Sequence, residues 1–328
     1  MRVGQNPAKM IPSVAKPKDV TVALITYIPF LGGYYAQSLD VLRVCLNSIL
    51  KNTRHPYDLM VFDNASCDEV RSWLIDERDK GNIQYLVLSD KNIGKSGAWN
   101  FVFQAAPGEF IAYADSDVYH YPGWLSALVD AMETIPQIGM LTGMPLRSPE
   151  EFSTATLAWA KETADVEISR GGLLPWDDFW KHAKSLGADE EAMRERYQQG
   201  GDTLLAYRGK RFYVGAGHFQ FVTRKEIIRQ VLPIPSNRPM GEVRMLDVAL
   251  NAAGYLRLST TDWYVQHLGN QLTGSEFAGE GLDEASILKA NRGRKRKTFL
   301  FDLPPVRRFL QWLYHKLFEI LFLDKGSK

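Results

Sequence analysis

Cysteine is nearly absent from this 328-residue chain: Cys45 and Cys67 are its only two. Both fall inside segments that read as regular structure. Neither a disulfide framework nor a cysteine-rich metal site is supported, and a reducing, cytosolic setting fits best. Long uncharged apolar runs are missing too. No stretch approaches the roughly 20 residues needed to cross a bilayer, and the opening MRVGQNPAKMIPSVAKPKD lacks the continuous apolar segment of a secretory signal. Residues 1–19 read as a flexible leader. There is no internal repeat, which excludes solenoids and arrays. Net charge is also small, at +1, but it hides an asymmetry. From Lys289 to Lys328, 11 Lys or Arg oppose 3 Asp or Glu, a net +8 that leaves −7 for the rest of a chain totalling +1. An anionic partner is therefore expected for the tail and not for the body.

What is present is an ordinary globular composition, 45% apolar and 23% charged, enough for a real core. Residues 20–145 alternate short β-rich runs with helical periodicity, the pattern of parallel strands joined by helices. Strands are expected at Val20–Thr26, Tyr57–Asp63, Ile83–Leu88 and Glu109–Ala114. Helices are expected at Gln37–Asn52, Asp68–Lys80 and Ser96–Ala105. This is an α/β fold with a Rossmann-type nucleotide-binding sheet, whose ligands gather at the carboxyl ends of strands. From Leu146 to Tyr213 the alternation lapses into a polar, Trp- and Glu-rich stretch that predicts an inserted helical lobe. Beyond it come a strand at 219–223, a helix, a Pro-rich break, a helix at Met245–Ala253 stopped by Gly254, and a last strand at Trp263–His267.

The run FIAYADSDV carries the chemistry. An apolar strand ends and presents Asp115 and Asp117 around Ser116; extended-chain alternation would set both on one side, roughly 6.5 Å apart. Two bare carboxylates at that distance repel by about 2.5 kcal/mol at an effective dielectric near 20, so a proton or divalent cation is expected between them. Oxygen ligands favour Mg²⁺ or Mn²⁺, which complete their shell with substrate phosphates and suit a nucleotide diphosphate. A pair of solvated turn aspartates is the competing reading.

The motif keeps company at neighbouring strand ends: Thr26-Tyr27, Asp63-Asn64-Ala65-Ser66, Asn92-Ile93-Gly94-Lys95 with Ala98 and Asn100, and Pro122-Gly123-Trp124 after the aspartates. On these motifs the chain resembles the family 2 glycosyltransferases, with the GT-A fold, across roughly residues 20–270. The resemblance implies that 20–145 is the nucleotide-sugar-binding half and 146–280 the acceptor-side half. It implies that Thr26 and Tyr27 border the base, Asp63 bonds its edge, and the Asn92–Asn100 region, Lys95 included, lines the nucleotide. Asp115 and Ser116 would face the ribose and the metal, Asp117 would be the firm metal ligand, and His267 would add an imidazole. An inverting family member needs a general base for the acceptor hydroxyl. Asp247 in GEVRMLDVALNAAGY is expected to supply it, at a helix start whose dipole favours a carboxylate, with Glu242 as second choice. The segment lacks the family's adjacent Glu-Asp pair. His218, Trp176 and Asp177 are acceptor-side candidates, and Trp176 and Asp177 equally suit packing of the lobe.

In residues 281–328, basic Arg292–Lys297 precedes VRRFLQWLYHKLFEILFL, where polar Arg308, Gln311, His315 and Glu319 recur at helical spacing. A basic amphipathic helix of this kind is expected to lie peripherally on an anionic membrane, on its cytoplasmic face. Packing on the body or a homo-oligomer contact is the alternative, and no base-reading motif supports nucleic acid. The resulting expectation is transfer of a sugar, from UDP by that resemblance, to a membrane-associated glycan or lipid-linked acceptor in polysaccharide biosynthesis. Two other classes compete: a haloacid-dehalogenase-like phosphatase with Asp115 as nucleophile, against which the motif's place after a fourth strand argues, and a catalytically silent sugar-nucleotide-binding membrane protein.

Overall fold

The computed structural model describes residues 4–238, 240 and 242–272; the basic tail expectation lies outside them. In chain order the elements are β1 (Val20–Thr26), α1 (Ser38–Asn52), β2 (Asp58–Asn64), α2 (Asp68–Asp79), β3 (Tyr85–Ser89), α3 (Gly94–Ala105), β4 (Phe110–Asp115), β5 (Val118–His120), α4 (Trp124–Thr134) and β6 (Ile138–Thr142). There follow α5 (Thr154–Glu162), β7 (Glu167–Gly171), α6 (Trp176–Ser185), α7 (Glu190–Gln199), β8 (Asp202–Tyr207), β9 (Lys210–Val214), β10 (Gln220–Arg224), α8 (Lys225–Gln230), α9 (Arg244–Ala252), β11 (Leu256–Thr260) and β12 (Val265–His267). Residues 4–18 are exposed, with one short helical turn at Pro7–Met10.

Ten strands form one mixed sheet in the order β3-β2-β1-β4-β10-β6-β11-β9-β8-β7. β3, β2, β1 and β4 run parallel, and β10 is antiparallel to both β4 and β6. The sheet is covered on both faces, which is why all seven residues of β1 are buried. Its Val20, Val22 and Leu24 join a core with Leu42, Leu46 and Ile49 of α1, while Ala23 and Ile25 join the opposite core with Trp99 and Phe103 of α3 and Leu246 of α9. α9 ends as Gly254 takes φ +83°, with the Tyr255 amide donating to the Leu250 carbonyl at 3.0 Å.

The stretch 146–213 departs from the expected helical lobe. It holds α5, α6 and α7, but also β7, β8 and β9, which extend the main sheet by antiparallel pairing from β11. β7 was illegible because all five of its residues are exposed, so no inside-outside alternation marks it. β12 is shorter than expected, and pairs with β5 in a separate two-stranded sheet instead of joining the main one.

A buried ion pair fastens this stretch. Arg147 donates from Nε and Nη2 to the two carboxylate oxygens of Asp202, at 2.7 and 2.9 Å, and Asp202 also accepts the Leu173 and Leu174 amides. Asp202→Ala would strand the guanidinium and two amides, so it is expected to lower unfolding free energy by about 3–5 kcal/mol in urea titration.

Candidate functional site

The carboxyl ends of β1, β2, β3 and β4 meet the start of α3, as the parallel topology requires. Ser116 and Asp117 form a tight turn between β4 and β5, so the two carboxylates are not disposed by extended-strand alternation as expected. Each has its own partner. Lys95 Nζ donates to Asp115 Oδ2 at 2.6 Å, and the Tyr113 hydroxyl donates to the other oxygen. Asp117 Oδ2 lies 3.3 Å from His267 Nε2, and its Oδ1 is buried without a partner. Backbone contacts fix both: Asp115 N donates to Phe219 O at 2.7 Å, Leu268 N to Asp117 O at 2.7 Å, and Val118 pairs with His267 across β5 and β12.

Burial raises the Asp115 carboxyl above its usual range; Lys95 opposes the rise and Asp117 adds to it. Burial pushes Asp117 the same way, but the His267 imidazole and Lys95 outweigh it and hold Asp117 below its usual value. His267 would be lowered by burial, yet the two aspartates raise it above an ordinary histidine. The four groups are thus mutually compensated in a poorly solvated place.

Metal fit follows from these contacts. Among the described residues no three His, Cys, Asp or Glu side chains form a metal-holding group. The expected trio of Asp115, Asp117 and His267 is corrected to a pair, because Lys95 and Tyr113 occupy the Asp115 carboxylate. The pair fits a divalent cation: Asp117 Oδ1 is a buried oxygen wanting a positive partner, beside an imidazole nitrogen. Nearby, α3 starts at Gly94, where φ is +74°, and its first amides with Lys95 make an anion-favouring terminus.

The remaining expected residues divide. Thr26 is buried with its hydroxyl unpartnered at the end of β1, and Tyr27 beside it is 39% exposed. Asp63 is fully buried; its carboxylate accepts the Ser66 amide and lies 3.6 Å from Arg71, so it caps the turn after β2. Burial pushes Asp63 up, with Ser66 and Arg71 only partly offsetting it. Asn92 Oδ1 accepts from Asn64 at 3.0 Å and from the Gly94 amide at 2.8 Å, shaping the loop before α3. Asn100 is a correction. Its amide group bonds the Ile234 backbone both ways, at 2.8 Å each, and so clamps the Pro-rich loop instead of facing a nucleotide.

Asp247 stands in the first turn of α9, as expected, but is only 3% exposed. Arg257 Nη2 is 2.7 Å from one of its oxygens and His218 Nε2 is 2.8 Å from the other, so the more accessible member of the pair is His218. Glu242 is half-buried just before α9, its carbonyl accepting the Met245 amide. Trp176 stacks on Trp180 with centroids 5.8 Å apart and meets Tyr197 and Arg194, so it packs the lobe, while Asp177 is exposed. Sequence reasoning missed Tyr113, Arg257 and Ser185. Tyr113 carried a signal, two residues before Asp115 on one strand; the other two are brought in from distant segments.

Acidic turn, cationic neighbours and the first amides of α3 thus lie together at the carboxyl ends of the parallel strands of an α/β fold. Residues 34–174 match the family model described as Glycosyl transferase family 2, and over that segment the chain is similar to these enzymes. A curated relative, an uncharacterized glycosyltransferase of Nostoc sp., is 27% identical over 131 residues, 38% of this chain. The chain spans only 41% of that relative's length. Among solved structures, a mannosyltransferase from Pyrobaculum calidifontis in complex with GDP-Man and Mn²⁺ gives a TM-score of 0.43 at 14% identity, covering 76% of this chain and 55% of that one. S. aureus TarS 1-349 in complex with UDP gives 0.44 at 15% identity, covering 90% and 78%.

The clamp reading of Asn100 has a direct check. Asn100→Ala is expected to cost about 1–3 kcal/mol of stability by leaving the Ile234 backbone groups unpaired, while isothermal titration finds UDP affinity unchanged. A large affinity loss would return Asn100 to the nucleotide.

Proposed function

We propose that the chain is an inverting glycosyltransferase that moves a sugar from a nucleotide donor, UDP-linked in the first instance, to a membrane-associated glycan or lipid-linked acceptor. The observation that carries the reading is the buried, unpartnered Asp117 oxygen beside His267, one turn from an Asp115–Lys95 pair at the strand ends. Asp117 and His267 would hold Mn²⁺ or Mg²⁺. When bound, that cation supplies positive charge against the departing diphosphate. Lys95 and the first amides of α3 add fixed positive ends to the same place. Proton removal from the acceptor hydroxyl falls to the Asp247–His218 pair, with Arg257 keeping Asp247 in place. The polar segment 146–213 would present the acceptor side, and the basic tail would bring the enzyme to the cytoplasmic face of an anionic membrane.

The phosphatase alternative has less support. A nucleophilic Asp115 would need a free carboxylate, and both of its oxygens are engaged by Lys95 and Tyr113.

Two experiments test the proposal. UDP-, GDP- and dTDP-sugars with Mn²⁺ or Mg²⁺ are scored by thermal shift and slow donor hydrolysis; stabilisation by one nucleotide class, abolished by EDTA, is expected, and uniform failure refutes the donor site. Asp247→Asn should abolish transfer while metal-dependent nucleotide binding persists. Retained turnover in that variant would move the proton chemistry to Glu242.

A further inference from the structure

Helix α6 ends in a tight turn beside the Asp117–His267 pair. Gly187 takes φ +76°, and the Gly187 and Ala188 amides donate to the Lys184 and Ala183 carbonyls at 3.0 and 3.2 Å. Leu186 also turns to Ala183, at 3.2 Å. The His182 carbonyl, one of the helix's last, is satisfied by the Ser185 hydroxyl, which donates to it over 2.7 Å.

A serine hydroxyl has a single proton. With that proton spent on His182, Ser185 Oγ meets His267 Nδ1, 2.9 Å away, as an acceptor, and the ring proton sits on Nδ1. Nε2 is then the lone-pair nitrogen. It faces Asp117 Oδ2 at 3.3 Å, next to the unpartnered Oδ1. With the ring neutral, two electron-rich groups set against each other call for a proton or a metal cation between them, and a histidine oriented through its far nitrogen is how proteins prepare a metal ligand. Packing enforces the approach: a Cβ on Gly269 would come within 2.7 Å of the Ser185 carbonyl, and Trp263 Nε1 donates to Asp178 on α6 at 2.7 Å.

We propose that Ser185 is a positioning residue for the divalent-cation site. Presented by α6, it fixes the His267 tautomer and aims Nε2 at the cation shared with Asp117, which ties the acceptor-side segment to the donor-side metal. The proposal rests on the cation site of the proposed function, and its test separates the two.

Mn²⁺ uptake by the full chain is followed by the electron paramagnetic resonance of free Mn²⁺ in the presence of UDP. Wild type is compared with Ser185→Ala, Ser185→Thr, His267→Ala and Asp117→Asn. Ser185→Ala is expected to weaken Mn²⁺ binding about 10- to 100-fold, with Ser185→Thr, which keeps a hydroxyl, restoring most of it. If Ser185→Ala binds like wild type while His267→Ala and Asp117→Asn lose the metal, Ser185 has no such role and the cation site stands without it. If wild type takes up no Mn²⁺ with UDP, the cation site and this proposal fall together. The tautomer is read separately on unmutated protein loaded with Mg²⁺ and UDP, by long-range ¹H–¹⁵N correlation of the imidazoles. A proton on Nδ1 of His267 is expected; a proton on Nε2 alone overturns the proposal even if Ser185→Ala fails to fold.

Discussion

One short antiparallel pairing, β5 with β12, sets the geometry on which the site depends. It is only three residues on each side, yet it holds Val118 opposite His267 and so brings an imidazole from the end of the described chain to a carboxylate in its first half. The Leu268 amide on Asp117 O closes the same junction. Without this pairing the Ser116–Asp117 turn would present its carboxylate to solvent, which is what an ordinary turn does. With it, the half-buried Asp117 faces a histidine and has one oxygen shut away from water, a costly arrangement unless charge is compensated.

Compensation is shared unevenly between the two aspartates, and this divides their work. Asp115 is already neutralised by Lys95 and bonded by Tyr113, whose own hydroxyl is kept protonated by burial and by the Asp115 charge. Asp117 has His267 as its ion-pair partner, with Lys95 acting on it from further off, and one oxygen left over. In the proposed function the cation is therefore assigned to Asp117, and Asp115 would hold Lys95 at the start of α3. On the other side of Phe219, whose carbonyl receives the Asp115 amide, the adjoining His218 leads to buried Asp247 and Arg257. The donor and proton chemistry proposed above would thereby be anchored on neighbouring residues of one backbone stretch.

The parallel half of the fold was legible because its strands are short, largely apolar runs separated by helices whose apolar residues recur every three or four places, and β1, β2, β3 and β4 fall within two residues of expectation. The far half of the sheet was not. β7 has no buried residue, and β6 is a short, largely apolar run that periodicity alone does not separate from helix. At the site, Asp117, His267, Lys95 and Asp247 were singled out as charged or ionisable groups at strand ends and helix starts, and the structure places Asp117 beside His267 and Asp247 beside His218 and Arg257. Asn100 misled because an amide that clamps a distant loop looks the same in sequence as one that faces a ligand. Arg257 and Ser185 act through contacts spanning segments far apart in the chain, and such contacts leave no local pattern.

The most direct measurement is a crystal structure of the chain with Mn²⁺ and UDP, its manganese located by anomalous scattering. The arrangement described requires one anomalous peak within coordination distance of Asp117 and of Nε2 of His267, touching the diphosphate, with Lys95 close to Asp115. A peak bound elsewhere, or a nucleotide seated away from the ends of β1 to β4, would contradict it.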